Sequence, residues 1–316
     1  MEYPQTVQDR FVDLLDPRIP PLLTHGFSSK LITPYMNPLD TPIGFSSTFL
    51  FVPGTRPERF AKALDSGADG VIIDLEDAVA EEDKESARAA IRNAWPTFTT
   101  EQKKRLIIRS NSPGTKFYAA DLILVQELNV AGLLIPKSES LDQMNGAALI
   151  LPNTAIIPMI ETALGLHNLN EIANSQQVLR LAIGNLDLQA DLGMICDAQE
   201  SELQTARFQI VLASRLAQIA PPIDGVTPST DDIERITEDA ERSKRMGFGG
   251  KLCIHPKQVS LVKNAFMPTE QQVSWAKRVI EADKASKGGT IKLDGRMIDR
   301  PVVLLAQRTL ALAGKP

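Results

Sequence analysis

From Ser47 onward the chain alternates short apolar runs, polar turns and longer amphipathic stretches. The runs are Thr48–Val52, Gly70–Asp74, Arg105–Arg109, Gly132–Pro136, Ala155–Ile160, Arg180–Gly184, Ile223–Val226 and Lys251–Ile254. They are continuous rather than alternating, which suits parallel strands buried on both faces. Between them, Glu82–Ala94, Glu200–Ile219 and Asp231–Met246 carry apolar residues at helical spacing. Eight such units over roughly 220 residues match a (β/α)8 TIM barrel in count and length. A doubly wound sheet would want a Gly-rich phosphate loop after its first strand, and Val52-Pro53-Gly54-Thr55-Arg56 is not one. The expected layout is an α/β chain in three parts: an N-terminal Pro-rich arm over 1–46, the barrel over 47–268, and a C-terminal extension over 269–316. The extension should hold a helix over Glu270–Ala285, a turn at Lys287-Gly288-Gly289 and a last helix opening at Pro301. It could lid its own barrel or reach a neighbour's.

Composition narrows the function classes. Of 316 residues, 34 are Lys or Arg and 39 are Asp or Glu, a formal net charge of −5. A mildly acidic chain without basic clusters is a poor partner for nucleic acid or anionic membrane. No apolar run approaches the roughly 18 residues that span a bilayer, and Met1-Glu2-Tyr3-Pro4 does not open a secretory signal. Cys196 and Cys253 lack metal-site spacing and read as a buried, reduced pair. The expected compartment is the cytoplasm.

Barrel enzymes place their chemistry at the C-terminal ends of the strands. The residues just after the runs are Asp74-Leu75-Glu76-Asp77, Arg109-Ser110-Asn111, Glu161-Thr162, and Asp187 within Gly184-Asn185-Leu186-Asp187. Glu161 and Asp187 follow consecutive strands, about 4.8 Å apart, so both carboxylates can reach one ion. That donor set suits Mg²⁺; equally, either acid could cap the helix that follows it. Arg109 is costly to bury without an anion, and Asp74 or Glu76 could pair with it structurally while it still faces a developing oxyanion. His255 reads as a ring donating to backbone at a strand–helix turn, and Lys251 as a rim cation or a turn residue.

Seven segments in order resemble one family. They are Phe51–Phe60, Asp74–Val79, Arg109–Asn111, Ile160–Ala163, Asp187–Gly193, Gly249–Pro256 and Asp294–Val303. Together they resemble the citrate lyase β-subunit-like branch of the HpcH/HpaI aldolase and citrate lyase family, from Phe51 to about Ala313. The resemblance implies a Mg²⁺-dependent barrel that breaks or makes a C–C bond beside an acyl thioester. It implies that Glu161 and Asp187 hold the metal, Arg109 holds the thioester or enolate oxygen, and Asp74 and Glu76 shape the site and orient the arginine. Asp299, on a neighbouring subunit's tail, would exchange a proton with the acetyl carbon; by position alone it is an N-cap before Pro301. Arg56, Arg59 and Lys62 are candidates for the coenzyme A phosphates, or a solvated helix face. The chain departs from the family pattern in its long arm, in Ser112, and in lacking an acid just before Asp187.

The expected activity is therefore a Mg²⁺-dependent lyase on a 3-hydroxyacyl-CoA thioester, either (3S)-citramalyl-CoA, giving acetyl-CoA and pyruvate, or malyl-CoA. The alternative is a citrate lyase β subunit acting on a citryl group carried by an acyl carrier protein. A malate synthase, a malyl-CoA thioesterase or a non-catalytic CoA-ester-binding barrel rank behind. A shared site implies a homo-oligomer, a trimer or hexamer.

Overall fold

The computed structural model describes residues 41–286 and 291–314. Most of the expected arm, up to residue 40, and the Lys287-Gly288-Gly289 turn lie outside the described residues. The described chain forms two compact units, parted between Phe266 and Met267.

The first unit is the expected barrel. Its strands are β1 (Thr48–Pro53), β2 (Gly70–Asp74), β3 (Leu106–Arg109), β4 (Gly132–Ile135), β5 (Ala155–Ile160), β6 (Ala182–Ile183), β7 (Ile223–Asp224) and β8 (Gly250–Cys253). Each pairs in parallel with the next, and β8 returns to β1 to close the ring. The helices are α1 (Pro42–Phe45), α2 (Phe60–Leu64), α3 (Lys84–Ala94), α4 (Thr100–Lys103), α5 (Tyr118–Leu128), α6 (Leu141–Ile150), α7 (Ala163–His167) and α8 (Leu169–Ala173). They continue with α9 (Asn185–Leu192), α10 (Gln204–Leu216), α11 (Ile233–Met246) and α12 (Pro256–Phe266). None of the described helices is long and apolar enough to cross a membrane.

Side chains alternate along each strand, so each run divides into two faces. Phe49, Ile72, Ile107, Leu134, Ile157, Met159, Ala182, Ile223 and Leu252 form one buried cluster, the lumen. Leu50, Val71, Ile73, Leu106, Ile108, Leu133, Ile156, Ile160 and Cys253 pack in a second, under the helices. This period places the chemistry. Two residues beyond Ile72, Ile107 and Met159 on the lumen face come Asp74, Arg109 and Glu161. At the opposite end Ile43 of α1 joins the lumen cluster. There Arg180 donates from Nη1 to the carbonyls of Ile43 and Ser46, at 2.9 and 2.8 Å, and stacks over Phe49. β6 is shorter than its apolar run, and the Arg180 side chain plugs the base. Of the cysteines, Cys253 is buried but Cys196 only half-buried.

The helix-facing side carries a buried ionic knot that the apolar pattern conceals. Asp224 of β7 pairs in register with Lys251 of β8. Asp224 Oδ1 accepts from Arg207 Nε of α10 at 2.9 Å, and Lys251 Nζ donates to the Gly225 carbonyl at 2.7 Å. Arg207 also pairs with Glu200, and Arg242 Nη2 reaches the same carboxylate at 3.1 Å. Lys251 is thus neither a rim cation nor a turn residue, because β8 buries it on the helix-facing side against β7. Burial alone would raise the Asp224 carboxyl, but Arg207 and Lys251 outweigh it and hold it down to about 2.

The second unit is a helical hairpin with a β-ribbon between its arms. α13 (Glu270–Ala285) opens on a reciprocal Thr269/Gln272 cap. β9 (Ile291–Leu293) and β10 (Arg296–Ile298) pair antiparallel about Asp294-Gly295. Both turn residues have positive φ, as a tight hairpin requires. α14 (Arg300–Ala313) begins one residue before Pro301 and packs Val303 and Ala306 on Ala276, Val279 and Ile298.

Removing one partner of a buried ion pair leaves the others uncompensated. Asp224→Ala should therefore cost about 3–5 kcal/mol, read as a lowered urea midpoint. The ionised Asp224 stabilises the fold above its unfolded pKa of about 3.9. That contribution should fade as pH falls toward 2. A wild-type acid profile shared by Asp224→Ala would contradict this.

Candidate active site

The site is built at the C-terminal rim, where β2 and β3 place Asp74 beside Arg109 in register. The Arg109 guanidinium is gripped in a two-pronged fork. Nε donates to Asp74 Oδ1 at 2.7 Å and Nη2 to Asp74 Oδ2 at 2.6 Å. Nη1 lies 3.0 Å from Glu76 Oε2 and 3.3 Å from Asp77 Oδ2. Phe51 of β1 lies against the fork, its ring centroid 4.9 Å from Cζ. Asp74 also accepts the backbone N–H groups of Glu76 and Ala78, which folds the acidic loop back over the strand end. These contacts realise the structural pairing and hold the guanidinium rigid at the rim. Burial alone would lower the Arg109 pKa; the acids around it raise it instead.

Glu76 is shaped from several sides. Burial pushes its carboxyl up, against the opposing pull of Arg109. Ser112 Oγ donates to Glu76 Oε1 at 2.8 Å, so the departure at Ser112 has a task. Lys84 Nζ donates to the carbonyls of Leu75 and Glu76, both at 2.7 Å, and pins the loop from below. Asn111 is anchored by Asp121 of α5, which Arg88 of α3 holds in turn. Lys84, Arg88 and Asp121 were invisible as site supports in the sequence. Lys84 sits in a charged run that resembles a solvated face, and only the fold turns it inward.

Glu161 follows β5 and is buried. Its carboxyl is pushed up to about 8, first by burial and then by the negative charges of Glu76 and Asp187. Oε1 accepts the Lys137 N–H at 2.8 Å. Oε2 lies over Gly184, only 2.2 Å from where a Cβ would stand, so no other residue fits there without moving Glu161. Neither acid caps its helix. Thr162 caps α7, and Gly184 precedes α9, with Asp187 exposed in its first turn. Asp191 Oδ2 accepts the Ala163 N–H at 2.6 Å and ties α9 to α7. Asn185 Nδ2 donates to Glu200 Oε1 at 2.7 Å, and its Oδ1 accepts the Val226 N–H at 2.9 Å. The support for α9 therefore reaches into the ionic knot.

Lys137, after β4, is a further residue missed by motif. Its backbone is left-handed, with φ of 45°, a conformation that costs an L-residue about 1 kcal/mol. Its Nζ lies 3.5 Å from Glu76 Oε1.

The remaining candidates make other contacts. Arg56, Arg59 and Lys62 are exposed beyond β1, and Arg56 Nε pairs with Glu58 Oε1 at 2.6 Å. His255 accepts rather than donates, its Nδ1 taking the Lys257 N–H at 3.2 Å, because the α12 N-terminus supplies free donors. Asp299 belongs to the second unit, where its Oδ1 accepts the Val302 N–H at 3.3 Å and caps α14.

A closed parallel barrel with a clamped arginine and converging carboxylates at its C-terminal rim is the architecture of a (β/α)8 enzyme with an acidic mouth. The comparisons then place it more narrowly. The model of the HpcH/HpaI aldolase/citrate lyase family matches residues 47–256, and the chain belongs to that family. A citrate lyase subunit beta-like protein of Mycobacterium tuberculosis is 34% identical over 273 residues, covering 84% of this chain and 95% of that one. The citrate lyase subunit beta of Leuconostoc mesenteroides subsp. cremoris is 33% identical, covering 84% and 92%. A (3S)-malyl-CoA thioesterase of Cereibacter sphaeroides is 31% identical, covering 84% and 93%. Among solved structures, the protein CitE from Mycobacterium tuberculosis in complex with magnesium, acetoacetate and coenzyme A superposes with a TM-score of 0.76. It is 33% identical, with 86% of this chain and all of that one covered.

The fork is also a structural demand. Asp74→Ala, which leaves Arg109 half-compensated, should cost about 3 kcal/mol in urea unfolding. Arg109→Lys keeps the charge but loses the planar two-pronged contact, and should fall between wild type and Asp74→Ala. Equal stabilities for all three proteins would show that the fork contributes nothing.

Proposed function

We propose that the barrel mouth cleaves a carbon–carbon bond in a 3-hydroxyacyl-CoA thioester, with (3S)-citramalyl-CoA, giving acetyl-CoA and pyruvate, as the favoured substrate and malyl-CoA the next. The observation that carries this reading is the pairing of a rigid, clamped Arg109 with Glu161, a buried carboxylate opposed by neighbouring acids.

The donor set fits a hard divalent cation. Glu161 and Asp187 are oxygen donors whose mutual repulsion a cation would relieve. Among the described residues no three His, Cys, Asp or Glu side chains form a closed metal cage, and Mg²⁺ commonly takes one or two carboxylates with water and substrate. Bound there, Mg²⁺ would supply Lewis-acid stabilisation of negative oxygen on the hydroxy-acid half. Gly184 leaves the space that Glu161 occupies, the Lys137 N–H orients its carboxylate, and Asp191 holds the Ala163 N–H beyond it.

Cleavage passes the substrate's hydroxyl proton to a carboxylate of the acidic mouth and breaks the bond between the carbinol carbon and the carbon beside the thioester. The electron pair becomes an enolate of acetyl-CoA, and the other fragment leaves as a 2-oxo acid. Arg109 faces the enolate oxygen, and the Asp74 fork means no reorganisation is needed as charge develops. Glu76 keeps the third guanidinium nitrogen directed at the mouth. Asp299 then gives a proton to the enolate carbon, carried on a neighbouring subunit's tail in a homo-oligomer of three or six chains in the cytoplasm. Arg56, Arg59 and Lys62 would meet the coenzyme A phosphates. The relatives named citrate lyase subunit beta favour a second reading, a citryl group on an acyl carrier protein. The thioesterase relatives favour hydrolysis of malyl-CoA.

Citramalyl-CoA, malyl-CoA and citryl-CoA should be compared side by side with Mg²⁺, monitoring acetyl-CoA, free CoA and the oxo acid. Preferential acetyl-CoA release from citramalyl-CoA, abolished by EDTA, is expected. Glu161→Gln should lose at least about a hundredfold in kcat/KM. Free CoA without acetyl-CoA would indicate the thioesterase, and turnover only on a carrier-protein thioester the lyase subunit. Undiminished turnover by Glu161→Gln would overturn the metal assignment.

A further inference from the structure

The strand order β3, β4, β5 sets Arg109, Lys137 and Glu161 on three neighbouring strand ends. Arg109 is clamped by Asp74, Glu76 and Asp77. Lys137 is not. Among the described residues its ammonium, with three donors to place, makes a single long contact of 3.5 Å to Glu76 Oε1, and its side chain is 44% exposed. Yet the charges of Glu76, Glu161, Asp187 and Asp77 all act on it. It is a cation inside the acidic mouth, held there loosely.

Its backbone is held tightly. The Lys137 N–H is fixed on Glu161, the Ser138 N–H donates to the Met159 carbonyl at 3.2 Å, and Ser138 Oγ donates to the Ile135 carbonyl at 2.8 Å. These contacts force the left-handed φ, where glycine would sit without strain. Strained non-glycine residues persist where the surroundings over-determine them, and they concentrate at functional sites. Here the strain aims a long cationic side chain into the mouth.

We propose that Lys137 binds the carboxylate of the hydroxy-acid half of the substrate, the half that leaves as the 2-oxo acid. The proposal rests on the carbon–carbon lyase reading. Under that reading the reacting bond lies between the enolate oxygen held by Arg109 and the acid half on the Glu161 side, and Lys137 stands on the strand between. A carboxylate would give the ammonium the short partner that Glu76 does not. A phosphate group, more highly charged, would meet Glu76, Glu161 and Asp187 at the same place, so the coenzyme A phosphates are not its ligand.

Lys137→Ala keeps the N–H that holds Glu161 and removes only the ammonium. Two readouts are needed: steady-state kinetics with citramalyl-CoA, and calorimetric binding of pyruvate and of free coenzyme A in the presence of Mg²⁺. The expected result is a rise of about tenfold or more in both KM and the pyruvate Kd. The free coenzyme A Kd should stay within about twofold, with kcat changed less than KM, as for loss of ground-state binding. Lys137→Arg should recover most of the pyruvate affinity. Unchanged pyruvate binding in Lys137→Ala would overturn the proposal. So would parallel losses for pyruvate and coenzyme A, which a structural role through Glu76 would give. Wild-type protein that binds pyruvate but cleaves no thioester would defeat the lyase reading while leaving Lys137 to be judged on pyruvate. Wild-type protein that binds no pyruvate would defeat both.

Discussion

Negative charge crowded around one guanidinium is the constraint on which the rest of this molecule turns. Asp74, Glu76, Asp77, Glu161 and Asp187 share the barrel rim, and Arg109 sits among the first three. Arg109 and the loosely held Lys137 leave these five carboxylates in excess. The surplus appears physically as the raised Glu161 carboxyl, about 8, driven by burial and by its acidic neighbours. Such a site is destabilised when empty of positive charge, and it gains by any ligand set that brings some in. The interior therefore has to be stiff enough to hold like charges together.

That stiffness comes from the strand period and from what lies behind the rim. The lumen pleat that buries Ile72, Ile107 and Met159 ends in Asp74, Arg109 and Glu161, so the layer that packs the core also aims the chemistry. Behind β7 and β8 the knot of Asp224, Arg207, Lys251 and Glu200 ties strands to helices, and through Asn185 it fixes the start of α9. Gly184 and Gly225 complete the fit. Each leaves a hollow that the side chain of Glu161 or Asn185 fills.

The barrel, its eight strands and the residues at its rim could be read from the sequence because each depends on a local pattern. Continuous apolar runs mark buried parallel strands, and the residue after each run is where barrels keep their chemistry. Glu270–Ala285 came out at its observed bounds because Thr269 and Gln272 form a reciprocal cap within one turn. What stayed hidden depends on tertiary contact. Lys251 reads as a rim cation or a turn residue because nothing nearby in sequence says that Asp224 will lie beside it. Ser112 reads as a mere departure from pattern until the fold brings Glu76 over it. The direction of the His255 hydrogen bond depended on α12 offering its unpaired N–H groups. Lys137 carries no motif of its own; only its left-handed backbone sets it apart.

The relatives named as lyase subunits and those named as malyl-CoA thioesterases pose one remaining physical question, which the strand-end groups alone do not answer. On the proposed reading, a clamped arginine and two metal-holding acids serve either chemistry, since both must stabilise negative oxygen on the thioester half. The difference lies in what attacks or protonates next, and in how firmly the departing acid is kept. Carbon–carbon cleavage needs a proton delivered to a carbon, the task assigned to Asp299, and an oxo acid retained long enough to block recombination elsewhere in the mouth. Hydrolysis needs instead an ordered water at the thioester carbon and no grip on an oxo acid at all. A cation committed to the acid half, as Lys137 is proposed to be, holds a carboxylate that the intact substrate and the departing acid share, so it serves binding in either chemistry and leaves the choice between them to what attacks or protonates next.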